Sequence, residues 1–225
     1  IYQDTPFPIT AARPLVAKAK EIGMQVVLDE AYPKETPDWE PIMSKAWSYK
    51  PDIILGGGYL PDSIGLMKAA KAVNATPKMF GFLVGPAISD FANSLKGDAT
   101  FVTGETFWEP FTKTAGNLEF YQAYLREYKG QPSYHAAAGF AAGQILERAV
   151  KEVGSIEDKK ALRDKLYSIK TTTIFGEYEV NPLGHPDSGW QIGKATNLIQ
   201  WQKAEAKKLL PNQVAIEGMV KQIVY

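Results

Sequence analysis

The feature that most constrains this fold is a rhythm in the first hundred residues, where short aliphatic runs alternate with helical periods and Pro or Gly marks the joints. Its clearest instance is DIILGGGYLPDSIGLMKAA at residues 52–70. Residues 52–55 are too short and too aliphatic for a free-standing helix, whereas Ile64, Leu66, Met67, Ala70 and Val73 recur at helical spacing. The stretch therefore reads as strand, glycine turn and helix. In open α/β sheets small molecules are held beyond the carboxyl ends of the strands, which puts Tyr59 at a crevice.

The same unit repeats on either side. Leu15, Val16, Ala19 and Ile22 mark a helix over 10–22 that Gly23 ends, and MQVVLDEAY follows as a β-branched strand. Asp38 caps a helix starting near Trp39 that carries Ile42, Met43, Ala46 and Trp47 on one face, and Pro51 stops it. A further strand begins at 77–82, a helix candidate covers 87–95, and 100–106 forms another strand. Parallel strands need crossovers, so this alternation predicts a doubly wound parallel sheet in an α/β lobe spanning 1–106.

After Thr106 the rhythm changes. GETFWEPFTK reads as a crossing segment, and mainly helical stretches follow at 117–128, 133–153 and 156–169. Ser155 and Asp158 resemble a capping box with Asp in place of Glu. FGEYEV and NLIQWQ are short strand candidates separated by the turn-rich NPLGHPDSGW. Residues 107–225 thus hold covering helices with too few strands for a sheet of their own. The opening IYQD reads as the end of a strand, and the expectation is that most of an N-terminal lobe is lacking. A complete chain with a helical subdomain is the competing reading.

Composition narrows the classes of function. The 225 residues are 45% hydrophobic, which suits one large or two small globular domains. Twenty-five basic residues balance 25 acidic ones, so there is no long-range field for nucleic acid or an anionic membrane. The absence of cysteine removes disulfides, thiolate metal sites and cysteine nucleophiles. No run of about 18 apolar residues is long enough to span a bilayer.

Signals for catalysis are few. His135 and His185 stand far apart in sequence without Asp, Glu or Cys at metal-ligand spacing, so no metal site or histidine relay is expected. There is no G-x-S-x-G elbow, G-x-G-x-x-G turn or P-loop, and helix capping accounts for Asp62 and Ser63. Neither enzymatic activity nor a cofactor is expected. A carboxylate pair across a substrate is a pattern that spacing alone does not test.

The ordered set of segments resembles the type I periplasmic solute-binding proteins of ABC importers, in the branched-chain amino acid and amide receptor (Leu/Ile/Val-binding-protein-like) family. The resemblance starts at DTPFP and runs through GMQVVLDEAYP, PDIILGGGY, AVNATPKMFGF and GDATFVTG. It continues through PSYHAAAGFAAGQILERAVKEVGS and IFGEYEVNPLGHPDSGWQIGKATNLIQWQ, covering nearly the whole chain. It implies two α/β lobes joined by three crossings that close on a ligand like a hinge. Residues 1–106 then correspond to the second lobe, and 107–225 to hinge crossings with the returning helices and strands of the first.

The resemblance also implies roles. Phe7 and Tyr59 match aromatics that face the cleft, with ordinary lobe packing as the competing account for Phe7. The three glycines before Tyr59 keep the backbone bare for a ligand. Where amino-acid receptors of the family hold a carboxylate for the ligand ammonium, GFLVGP offers Phe82, Leu83 and Val84. A buried ammonium needs a counter-charge, so either Glu105 or Glu109 substitutes or the ligand has no amino group. Trp108 is either a plug under the hinge or a stacking surface, and Tyr134 opens a long helix at a cleft-facing position. The expected role is capture of an amino acid, amide or apolar or aromatic carboxylate, in the periplasm or as an extracellular lipoprotein, for a membrane permease. A ligand-sensing domain of a regulator is the alternative.

Overall fold

The computed structural model describes residues 1–110, 112–194, 196–201 and 213–216. The chain divides into two compact units, 1–105 with 198–225, and 106–197. The first unit is the doubly wound lobe. Its elements run β1 (Tyr2–Gln3), α1 (Pro6–Glu21), β2 (Ala31–Tyr32), α2 (Glu40–Ser48), β3 (Ile53–Gly56), α3 (Leu60–Ala72), β4 (Met79–Phe82), α4 (Ser89–Leu95) and β5 (Thr103–Thr106). Strands β1 and β2 pair in parallel, as do β3 with β4 and β4 with β5. A parallel bridge from Tyr2 to Gly57 aligns β1 beside β3, giving the order β2-β1-β3-β4-β5.

Local chemistry explains the boundaries. Prolines in the first turn of α1, α2 and α3 cost no hydrogen bond there and fix φ for entry. Asp38 accepts from the Glu40 amide at 3.0 Å ahead of α2. Helix α1 begins four residues before the periodicity over 10–22 suggests, because Pro6 and Pro8 are tolerated in its first turn. In the 87–95 segment, Gly85–Ala87 forms a separate 3-10 turn and extended Ile88 delays α4 to Ser89. The core lies between the sheet and α2, α3 and α4, where Met43, Leu66 and Phe91 are fully buried with Ile54 and Phe82 beside them.

Two expectations are corrected in this unit. Of the MQVVLDEAY strand only Ala31–Tyr32 joins a ladder. Second, NLIQWQ does not group with the helical part. Its strand β8 (Asn197–Trp201) lies next to β5 in the first unit's sheet, and β9 (Gln213–Ile216) pairs antiparallel with it. Apolar burial and backbone pairing hold it there: Ile199 is fully buried, the Trp201 amide donates to the Val102 carbonyl at 3.0 Å, and the Trp201 indole donates to the Pro86 carbonyl at 2.9 Å.

The second unit contains α5 (Asn117–Tyr128), α6 (Tyr134–Val153), α7 (Lys159–Ser168) and the antiparallel pair β6 (Thr171–Thr173) and β7 (Gly176–Tyr178). Ser155 accepts from the Glu157 and Asp158 amides, and Asp158 then caps α7 through the Ala161 amide at 2.9 Å. One small core gathers Trp108, Phe120, Ala137, Ala141 and Ile174, and a second gathers Ala149, Leu162 and Ile169.

Candidate functional site

The glycine turn after β3 is built by close packing. A Cβ on Gly56 would lie 2.4 Å from the Phe82 ring, one on Gly57 2.8 Å from the Tyr2 Cβ, and one on Gly58 2.6 Å from the Tyr32 hydroxyl. All three positions are thus filled by neighbouring side chains. That corrects the expectation that the glycines leave the backbone bare for a ligand; they are there so that β1, β2 and β4 can approach the turn.

A buried polar network then holds the turn. The Asp62 carboxylate, 5% exposed in the first turn of α3, accepts from the Tyr59 amide at 2.7 Å and from the Gln3 side-chain amide at 2.9 Å. Thr5 donates to the Gln3 side chain at 2.9 Å, and the Tyr32 hydroxyl donates to the Gly57 carbonyl at 3.2 Å. Burial, reinforced by the neighbouring Asp62 charge, drives the Tyr32 phenol well above its ordinary pKa. With its backbone held, the Tyr59 ring projects outward at 42% exposure beside Phe7 at 45%. The two ring centroids are 5.9 Å apart, tilted by 37°. Two large rings left half in water at the strand ends form an apolar lip suited to covering a small solute.

Leu83 and Glu105 reach the other side of the strand ends. Both line a groove of about 670 Å³ that α1, residues 24–29, β3 and Ala46 of α2 also border. Glu105 is held above the usual carboxylate range by burial alone, with neither an ion pair nor a hydrogen bond to its side chain among the described residues. Phe82 is a different case. It borders the same groove, but its side chain is 4% exposed and its ring lies 6.3 Å from that of Phe91 in the core. Successive strand residues point to opposite faces, and Leu83 takes the other one.

In the second unit, Trp108 is 1% exposed. Its indole donates to the Asn117 side-chain carbonyl at 2.7 Å and meets Phe120 edge-on at 5.8 Å. The Asn117 amide in turn donates to the Pro110 and Thr112 carbonyls at 3.0 and 2.8 Å. Trp108 is therefore the plug of this core and presents no free ring face for stacking. Tyr134 is half-buried at the start of α6, between Phe107 at 5.9 Å and its neighbour His135 at 4.0 Å. Glu109 is buried, and burial pushes its carboxyl up to about 8, against the opposing pull of a hydrogen bond from Thr106.

Gln3 and Tyr32 escaped the sequence reading. The one available signal was their place at the ends of the first two strands, next to the turn that Asp62 caps. Among the described residues no group of three or more His, Asp or Glu converges to hold a metal ion, and no helix is long and apolar enough to cross a membrane.

Comparison with known proteins supplies the family. The model of the family described as Periplasmic binding protein matches residues 1–199. Among curated relatives, Leu/Ile/Val-binding protein homolog 7 of Brucella melitensis biotype 1 is 24% identical over 96% of this chain and 55% of its own length. Two solved structures share the fold. The leucine-, isoleucine-, valine-, threonine- and alanine-binding protein from Brucella ovis, in a closed conformation, aligns at a TM-score of 0.76 and 20% identity, over 96% of this chain and 55% of that one. The solute-binding protein of an ABC transporter from R. palustris, in complex with benzoate, aligns at 0.77 and 16% identity, over 96% and 58%. The chain thus spans just over half the length of these relatives. With the family model matched across most of its length and the α/β fold shared with these binding proteins, the chain belongs to the periplasmic binding protein family, with the type I fold.

Proposed function

We propose that this chain belongs to the solute-capturing component of an ABC importer and provides one wall of its binding site. The lip formed by Phe7 and Tyr59 is the observation that supports this reading: exposed rings, a backbone braced by Asp62, and a position at the strand ends. Leu83 contributes to the wall on the groove side. Such a component works in the periplasm or on the cell surface and hands its solute to a membrane permease once ligand has selected the closed form.

The solute class we favour is a small apolar or aromatic carboxylate. Val84 and Leu83 occupy the turn after β4 without an acid to pair with a ligand ammonium. Rings and aliphatics suit benzoate-like solutes, and the R. palustris relative was solved with benzoate. Thermal-shift measurements with benzoate, phenylacetate, leucine and isobutyramide test the reading, since a ligand bound only to the folded state raises its Tm. The largest rise is expected with the aromatic carboxylates. A rise with leucine alone would overturn the solute class.

A further inference from the structure

Phe107 and Trp108 are neighbours in the chain, and the hydrogen bonds around them separate the fates of their rings. The Thr106 hydroxyl donates to the Trp108 carbonyl at 2.9 Å and accepts from the Trp108 amide at 3.4 Å, which ties the backbone before Phe107 to the backbone after it. Trp108 is anchored in the core through Asn117. Phe107 is left 37% exposed on a braced backbone, the condition that also holds for Tyr59 in the first unit.

Two further rings meet Phe107. Tyr134 lies 5.9 Å away by ring centroids, tilted by 50°, and Phe175 lies 6.5 Å away and close to parallel, at 22°. Phe175 is braced as Phe107 is: its amide donates to the Thr173 hydroxyl oxygen at 3.1 Å, and that hydroxyl donates to the Gly176 carbonyl at 3.1 Å. Gly176 has φ +117°, and a Cβ there would lie 3.0 Å from the Lys194 Cδ, so a glycine at this position admits the Lys194 stem. The stem brings the Lys194 ammonium to 5.7 Å from the Phe175 centroid. All of these contacts join residues within 106–197, so the cluster is a property of the second unit by itself.

Packing alone does not account for the arrangement. The core of this unit gathers Trp108, Phe120, Ala137, Ala141 and Ile174, with Tyr134 and Phe175 packed against it from outside, and Phe107 is not part of it. Near-parallel rings beside a tilted third one offer both face and edge contacts to another flat ring, the geometries that aromatic pairs prefer. A positive charge beside them suits a carboxylate substituent and opposes a cationic ligand.

We propose that Phe107, Tyr134 and Phe175 form an aromatic shelf that takes the flat ring of an aromatic carboxylate, with Lys194 placed to meet the carboxylate group. The shelf rests on the solute-capture reading and adds to it the residues of the second unit that select an aromatic ring.

Calorimetric titration of the full chain with benzoate and with cyclohexanecarboxylate, which keeps the carboxylate and ring size but has no π face, tests the shelf. Benzoate is expected to bind the wild type about tenfold more tightly, and Phe107→Leu, which keeps apolar bulk, should bring the two ligands level with little change in the unliganded Tm. Lys194→Met should weaken benzoate by about fivefold and leave benzamide unaffected. Nuclear Overhauser contacts from bound benzoate to the ring protons of Phe107 and Tyr134 are expected in the wild type, a readout that needs no substitution. Contacts to Phe7 and Tyr59 alone would overturn the shelf and leave solute capture standing, as would an unchanged preference for benzoate in Phe107→Leu. Benzoate that contacts the shelf and binds Tyr59→Ala as well as the wild type would support the shelf and overturn the lip. Absence of binding by either carboxylate overturns both.

Discussion

Tyr59 and Trp108 are both aromatic residues expected to meet a ligand, and the structure treats them in opposite ways. At Tyr59 the buried polar groups act on the backbone: Asp62 holds the amide, Gln3 holds Asp62, Thr5 holds Gln3, and the ring is left 42% exposed. At Trp108 they act on the ring itself, because Asn117 satisfies the indole N–H and the side chain sinks to 1% exposure. A ring whose own polar atom is satisfied internally has become core, whereas a ring carried on a braced backbone remains available. The difference lies in where the hydrogen bonds go.

Removing the two side chains should break the comparison most sharply. Trp108→Ala deletes a fully buried indole and strands the Asn117 carbonyl, and is expected to destabilise the second unit by about 3–5 kcal/mol. Tyr59→Ala removes a ring already half in water and should change stability by only about 0.5 kcal/mol. Urea denaturation followed by tryptophan fluorescence and far-UV circular dichroism separates the two. Similar losses at both positions would show that Tyr59 is also a core residue.

The second unit also carries a proton-linked penalty that the lip lacks. Buried Glu109 titrates at about 8 in the folded state against an ordinary value of 4.5. The folded state therefore keeps a proton that the unfolded chain gives up, and stability falls as pH rises from about 4.5 to about 8, then levels off. The loss is on the order of 3 kcal/mol at about 1.4 kcal/mol per pKa unit, allowing for relaxation around the charge. Glu109→Gln keeps the shape and the neutral state, and should flatten the profile and stabilise the protein at pH 8. Urea midpoints collected between pH 5 and pH 8.5 test this; a wild-type midpoint that rises with pH would reverse the assignment.

Much of the first unit was legible in the sequence because its rules are local. Proline and glycine punctuation, helical periods and β-branched runs located the helices and three of the parallel strands, and the turn before Tyr59 was visible as such. What stayed hidden depended on partners distant in the chain. Phe82 and Leu83 are adjacent apolar residues at the end of a strand buried on both faces, so no polar alternation marks which one enters the core. NLIQWQ reads as a strand in any context, and only the pairing of Trp201 with Val102 decides its sheet. Residues 24–32 have strand composition throughout, yet only Ala31–Tyr32 pair, with Tyr2–Gln3 as partners distant in the chain. Gln3 and Tyr32 carry no motif. Their roles arise from being brought to Asp62.

That network gives a smaller expected effect on folding than the loss of Trp108 and the most informative one on the lip. Asp62→Asn keeps the volume but replaces an oxygen acceptor by an NH₂ group that faces a donor, either the Tyr59 amide or the Gln3 amide. One buried charge-assisted hydrogen bond is lost, and the first unit should be destabilised by about 1–3 kcal/mol, the range for a buried donor left unpaired. If the bracing model is right, the loss is not spread evenly over the unit. Hydrogen exchange should quicken at the Tyr59 amide well before that of Leu66 in the middle of α3, because the glycine turn loses its tether while the core stays packed. Equal acceleration at both amides would mean that Asp62 supports the unit as a whole, and that the exposure of the Tyr59 ring owes nothing to how its backbone is held.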